Sequence, residues 1–494
     1  MLNLSRRDWL LASIISLTLI AASWLFGGMP NWSKIVLYSL ASSCFICLFI
    51  PLGNEFNTTV TVKSDSPTKN IKKLFCFPVF WLGILLFAYI GIQWSNPSHR
   101  YYVDKELQVW DIIDHSISPK ENLPTSVDAP YYMGNPKTYL LKWGSAWLFV
   151  CAVWVGIRSQ KMLSIILVSF SISSLILVVV AIIQKFQDLP YILWIFPSNN
   201  EGLGTFPYRN HGAAFFNLCM AVNAFLGLYF FKKNIRKSKR KGSSPFFIFF
   251  LIFVLFVLSV IVSYSRGGWM VGAFTLLVFL LVCLWLTFAY RNRTQNKKFG
   301  LFIVILIIGV GFGAFQKIEI KEWVKAKFIQ FVNLTYDNES LQTDTRICAY
   351  KATWDMFTDR KLYGWGAGSF QVVFPRYLGN YEILAIKDKN GYYIRHWKHA
   401  HNDPLQFLAE LGIIGFSILT LIFLFFFFHW MTRYKQWDLP SNMLITAIFG
   451  LLAHSFFDFV FSSTSIIYAW TFLLVAFSKY LTFRRYRKRP VGNF

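Results

Sequence analysis

Long apolar runs alternate with short polar, basic stretches along nearly the whole chain. Runs of roughly 20 apolar residues, enough to cross a bilayer as a helix, recur end to end. They fall at 9–28, 33–52, 74–94, 138–157, 162–184, 212–231, 245–264, 269–290, 299–315, 404–429, 441–461 and 464–481. This pattern predicts an all-α polytopic membrane protein, with residues 1–494 forming a single membrane domain of about twelve transmembrane helices. The first run, Trp9 to Phe26, lacks a convincing small-residue cleavage site and reads as an uncleaved span. Three longer polar segments interrupt the series: 95–137, 185–211 and 316–403, the last large enough for a helical loop subdomain. Inside it, Ile347, Tyr350, Trp354 and Phe357 have helical spacing, and the glycine-rich turn Gly364 to Gly368 stops the pattern. Those glycines resemble a phosphate cradle only superficially. No strand is predicted before them and no lysine follows, which argues against a nucleotide site.

Charge adds orientation. The chain has 494 residues, 55% of them hydrophobic, and a net charge of +25. In a soluble protein such an excess points to nucleic acid. Here the basic residues gather in alternate short loops, from Arg6 and Arg7 through Lys232 to Lys241 to the tail Arg484 to Arg489, so the partner is the membrane lipid and not nucleic acid. An even number of spans with both ends inside satisfies every loop, and it places the three longer segments outside. Six of the seven cysteines (Cys44, Cys47, Cys76, Cys151, Cys219, Cys283) lie in or beside apolar runs and Cys348 stands alone, so no disulfide framework is expected.

Candidate chemistry gathers near the outer ends of the spans. Arg266 follows a wholly apolar run and is flanked by Ser265 and by Gly267 and Gly268. A permanently charged fork with small neighbours suits a phosphate or diphosphate; the bland alternative is an arginine snorkelling to headgroups. Arg209 and His211 repeat the theme before the sixth run. His454 and Asp458 lie four apart on the eleventh, hence on one helix face, where a structural hydrogen bond is the rival reading. The stretch His399 to Gly415 joins the longest polar segment to an apolar helix. Pro404 suits that helix's first turn, and Gly412 and Gly415 let another helix approach closely. His399 and His401 lack companion ligand spacing, so no metal site is expected.

Taken together these residues resemble the O-antigen ligase family of bacterial polytopic membrane glycosyltransferases. Its signature is a His, then Asn, Ser or Gln, then nine residues, then G-x-x-G. His401-Asn402, the nine residues Asp403 to Leu411, and Gly412-Ile413-Ile414-Gly415 match it in full. Tyr264 to Gly268, Gly204-Thr205-Phe206 with Asn210-His211, Tyr363 to Phe370 and His454 to Phe459 match further stretches, over roughly residues 200–460. The resemblance implies a metal-independent, inverting glycosyltransferase of the bacterial inner membrane with cytoplasmic ends. Its fold would be similar to lipid-phosphate-dependent (GT-C-like) enzymes, and no cofactor is expected. It implies transfer from an undecaprenyl-diphosphate-linked glycan donor to a hydroxyl at the periplasmic face. Lipid A core is the leading acceptor; a growing glycan (polymerase) or a protein (oligosaccharyltransferase) are alternatives. By motif, Arg266 binds the diphosphate with Arg209 as second ligand, and His401 orients or deprotonates the acceptor, with His211, Asn402, His399, His454 and Asp458 in support. A membrane transporter is the rival from another class, against which stands the lack of an inverted repeat.

Overall fold

The computed structural model describes residues 4–51, 67–104, 109–129, 134–187, 190–197, 202–236, 246–289, 344–381, 383–384 and 397–488. The expected ninth span, 299–315, and the start of the expected loop subdomain, 316–343, lie outside them. The helices are α1 (Arg6–Trp24), α2 (Asn31–Ile46), α3 (Pro67–Phe75), α4 (Pro78–Ser95), α5 (Pro136–Gly156), α6 (Gln160–Gln187) and α7 (Arg209–Arg236). They continue with α8 (Phe246–Val262), α9 (Arg266–Ala289), α10 (Thr345–Asp359), the short α11 (Phe370–Val373), α12 (Asp403–Met431), α13 (Leu439–Ser455) and α14 (Thr464–Lys488). Seven of them, α4, α5, α6, α7, α9, α12 and α14, are long and apolar enough to cross a membrane, and α8 and α13 are shorter apolar helices. α1 and α2 also form within expected spans without meeting that measure of length and hydropathy.

Helix α7 is the axis of the bundle. It is almost wholly buried, and α6, α8, α9, α13 and α14 pack around it. α12, by contrast, turns most of its apolar surface outward, as a lipid-facing helix does. Side chains close the polar ends where the backbone runs out of partners: Ser5 and Asp8 cap α1, Asn135 and Thr138 cap α5, Asp438 and Ser441 cap α13.

The polar segments carry structure that the apolar pattern does not announce. Strands β1 (Pro97–Asp104), β2 (Val109–Asp114) and β3 (Ser126–Asp128) form a small sheet in the order β2-β1-β3, and β4 (Tyr191–Ile192) pairs with β5 (Phe196–Pro197). Ile112, Val127 and Ala129 from the first segment share a core with Cys348, Met356, Phe370 and Phe374 from the third. Two loops far apart in sequence therefore fold together over one end of the bundle.

α12 is not a continuous helix. Gly412 has φ +63° and ψ −175°, which opens the helix, and the segment 361–366 threads into the opening. Ile413 N–H donates to Lys361 O (2.8 Å), Gly366 N–H donates to Glu410 O (2.9 Å), and the Tyr89 hydroxyl donates to Leu411 O (2.6 Å). These groups, which the break takes out of the helix ladder, thus find partners in the threaded segment and in α4. The expected close approach at the glycine pair is divided between two neighbours. A loop backbone enters at Gly412, and the Tyr89 ring of α4 packs on Gly415. The same contacts explain the glycine-rich turn. Gly368 and Phe370 N–H groups donate to the Glu410 carboxylate (3.0 and 3.3 Å), and Ala367 N–H donates to Gln93 (3.1 Å). Its amides are already occupied by the protein, as an anion cradle's would not be.

A methyl group at Gly412 would collide with the Leu362 carbonyl and sit at a left-handed φ. Gly412→Ala is therefore expected to lower folded protein by several kcal/mol, about 1–2 of them from backbone strain alone. Gly379→Ala, where a methyl meets open space, should leave the melting temperature within about a degree or two.

Candidate functional site

The turn 456–463, between α13 and α14, is held by side chains from across the bundle. Lys142 of α5 donates to Phe461 O (2.7 Å) and Ser462 O (2.8 Å). Asp403, the first residue of α12, accepts from Phe461 N–H (2.9 Å). His211 of α7 meets Phe459 O and Ser462 Oγ, both at 3.1 Å, and Arg346 of α10 donates to Phe457 O (3.2 Å). Ser463 donates to Gly27 O (2.8 Å). A segment so fully tied is a rigid mount, and what it presents is Asp458 and Phe459.

Asp458 is buried, and its Oδ1 lies 3.4 Å from His401 Nδ1. The Asn210 amide donates to its other oxygen. Burial would push the Asp458 carboxyl up, but the neighbouring imidazoles of His401, His454 and His211 hold it down at about 2. A carboxyl held below its ordinary value stabilises the fold at pH above that value, and this contribution is lost as pH falls toward 2. Across the neutral range Asp458 is an anion fixed on the Nδ1 side of His401, away from Nε2.

His401 itself sits at φ +55°, left-handed backbone that costs a non-glycine residue about 1–2 kcal/mol. The Tyr350 hydroxyl, donating to the His401 carbonyl at 2.9 Å, helps to hold it there. Tyr264, two residues before Arg266, shares this conformation (φ +52°). Strain of this kind marks both segments that the sequence singled out. Around Phe459 the rings assemble: His399 stacks on it at 4.4 Å and Tyr208 at 5.0 Å, while His401 and His211 meet it edge-on. Burial, with Lys142, His211 and His401 nearby, pushes the His399 imidazole down to about 3, so it is neutral and packs as a ring rather than serving as a cation.

Arg266 is the first residue of α9, exposed, and the charged groups acting on it are Arg346, Asp344 and Arg209. Asp344 is engaged as the N-cap of α10, accepting from Arg346 N–H and Ile347 N–H (2.9 and 3.2 Å). Around Arg266, two further guanidinium groups thus outnumber one carboxylate that is already in use. Such an excess is costly by itself and suits a ligand with more than one negative charge. Arg209 is likewise exposed, as the first residue of α7.

One expectation fails locally. His454 and Asp458 do not share a helix face, because α13 ends at Ser455 and Asp458 lies in the turn beyond it. The Asp458 carboxylate accepts from the next N–H, of Phe459 (2.9 Å), an alternative to helix that short acidic side chains offer the backbone. The two residues remain close enough to interact electrostatically. His454 is buried against Gly267, beside Arg266, with no hydrogen-bond partner on either ring nitrogen among the described residues. Asn402 caps α12, its side chain accepting from Leu405 N–H at 3.0 Å, with Pro404 in the first turn as expected. Among the described residues no group of three or more His, Cys, Asp or Glu could hold a metal ion.

The sequence reading did not single out Arg346, Tyr350, Lys142, Asp403, Tyr208 or Phe459 for this site. Arg346 carried a usable signal, as a basic residue opening a helix in the same segment as His401. The others act through contacts that only the folded chain makes.

The fold and the site define a polytopic, largely helical membrane protein with a polar, cation-rich centre built at one end of its bundle. Residues 251–420 match the family model described as O-antigen ligase, so this part of the chain is similar to that family. Arg266, Arg346, His401 and the Gly412 break lie within the matched segment, whereas Arg209, His211, His454 and Asp458 lie outside it. A comparison with curated proteins found no match.

Proposed function

We propose that this protein transfers a glycan from an undecaprenyl-diphosphate carrier to an acceptor hydroxyl at the periplasmic face of the bacterial inner membrane. In this reading it ligates O-antigen to lipid A core, by a metal-independent, inverting displacement in a GT-C-like fold with cytoplasmic ends. The observation that carries the proposal is the pairing of His401 with Asp458 beside a cluster of three arginines. His401 Nε2 takes the proton from the acceptor hydroxyl, and Asp458 stabilises the imidazolium that forms. The acceptor oxygen then bonds to the anomeric carbon as the bond from that carbon to the diphosphate oxygen breaks. The electron pair stays on the diphosphate, where Arg266, Arg209 and Arg346 receive the added charge. One displacement with the base opposite the leaving group inverts the anomeric centre. His211 and Asn402 support the site by fixing the turn and the helix start, His399 by packing, and His454 by backing Gly267.

Loss of the protein tests the acceptor. A strain without it is expected to keep long polymer on its lipid carrier and to display bare lipid A core, read by lipid extraction and gel banding. Core capped with single repeat units would instead identify a polymerase of the same family. Unchanged banding with an unaltered carrier pool would refute glycan transfer in this pathway.

A further inference from the structure

Helix α10 leaves its largest side chain outside. Ala349 and Ala352 are fully buried, whereas Trp354, the largest side chain on the helix, is 51% exposed. The expected apolar face of Ile347, Tyr350, Trp354 and Phe357 is therefore not the buried one: Phe357 alone of the four is in the core, beside Cys348, Thr353 and Met356. Small residues inside let α10 lie close against α12 and leave the indole outside, where the core gains nothing from it.

The side that Trp354 occupies has an order, from the half-buried Arg346 and Tyr350 to the exposed indole. Arg346, Tyr350 and Trp354 are spaced by four, so they line one side of α10 at about 6 Å per step. Arg346 stands with Arg266 in the arginine cluster, and Tyr350 is bonded to the His401 carbonyl. Trp354 is the next position past His401, on the side away from the arginines. Phe357 braces the indole at 5.1 Å with the rings tilted by 54°, which holds the ring in place and leaves much of its surface free. Its helix neighbours Lys351, Asp355 and Thr358 are polar and reach the surface. An aromatic face among hydrogen-bonding groups, rather than within an apolar field, matches a pyranose, with its apolar C–H face and its rim of hydroxyls.

We propose that Trp354 is a platform for a sugar of the acceptor glycan, stacking on a pyranose next to the one whose hydroxyl His401 deprotonates. The proposal rests on the reading of His401 as the base, because it takes its sense of direction from the series diphosphate, base, acceptor.

Steady-state transfer by the full-length protein in liposomes tests it, with undecaprenyl-diphosphate-linked glycan as donor and lipid A core as acceptor, each varied in turn. Trp354→Ala is expected to raise the acceptor KM about tenfold, with kcat and donor KM unchanged. Trp354→Tyr, which keeps an aromatic face, should recover most of the affinity. An unchanged acceptor KM would overturn the proposal, and so would a rise in donor KM alone, which would place the donor glycan on the indole. A fall in kcat with both KM values unchanged would also overturn it, marking Trp354 as an anchor of the loop at the membrane surface. His401→Ala in the same preparation reports on the base separately. If that variant is fully active the base reading has failed, whatever Trp354 does.

Discussion

Arg266→Ala is expected to abolish glycan transfer while the protein remains folded and present at normal level. The residue opens α9 at the exposed end of the bundle and is not part of the buried core, so its removal leaves the packing intact. On the proposed mechanism, its loss leaves the developing charge on the diphosphate with two arginines instead of three. Losing one such fixed donor costs ~10²- to 10³-fold in rate. Arg266→Lys should recover only part of the activity, because a point charge cannot reproduce a bidentate fork. Transfer rates measured at matched protein level decide the matter. Full activity of the alanine variant would return Arg266 to a headgroup contact.

The second large effect concerns His401. His401→Ala should lower kcat by ~10²-fold or more, as for a lost general base, with little change in donor KM. His399→Ala should be milder, since that ring is neutral and stacks on Phe459 instead of meeting the Asp458 carboxylate. Some loss is still expected there, because Phe459 is the ring on which His401, His211 and Tyr208 also rest. Equal defects in the two variants, measured as single-turnover rates, would contradict the division of roles.

The helical class was legible because span length and hydropathy are local properties, and each described apolar run did form a helix. Arg266 and His401 were legible because each breaks a local rule, a charge at a span end and a polar cluster before a proline. The rest depended on the folded chain. Gly412 reads as a small helical residue, and only the threading of 361–366 shows it as a helix break. Asp458 follows His454 at helical spacing, yet its carboxylate bonds to the adjacent N–H and α13 stops short of it. The sheet over 97–128 escaped because it shares its core with residues more than 200 positions away. Lys142 and Asp403 read as ordinary ends of spans, and their target, the turn 456–463, is visible only in three dimensions.

The central claim, chemistry on a lipid-linked glycan by the protein's own side chains, is tested most directly by reconstitution. The purified protein in liposomes, given undecaprenyl-diphosphate-linked glycan and lipid A core with a chelator and no nucleotide, is expected to form glycan-capped core at a rate that His401→Ala removes. Absence of product from the parent protein under these conditions, or equal product from parent and His401→Ala, would contradict the account.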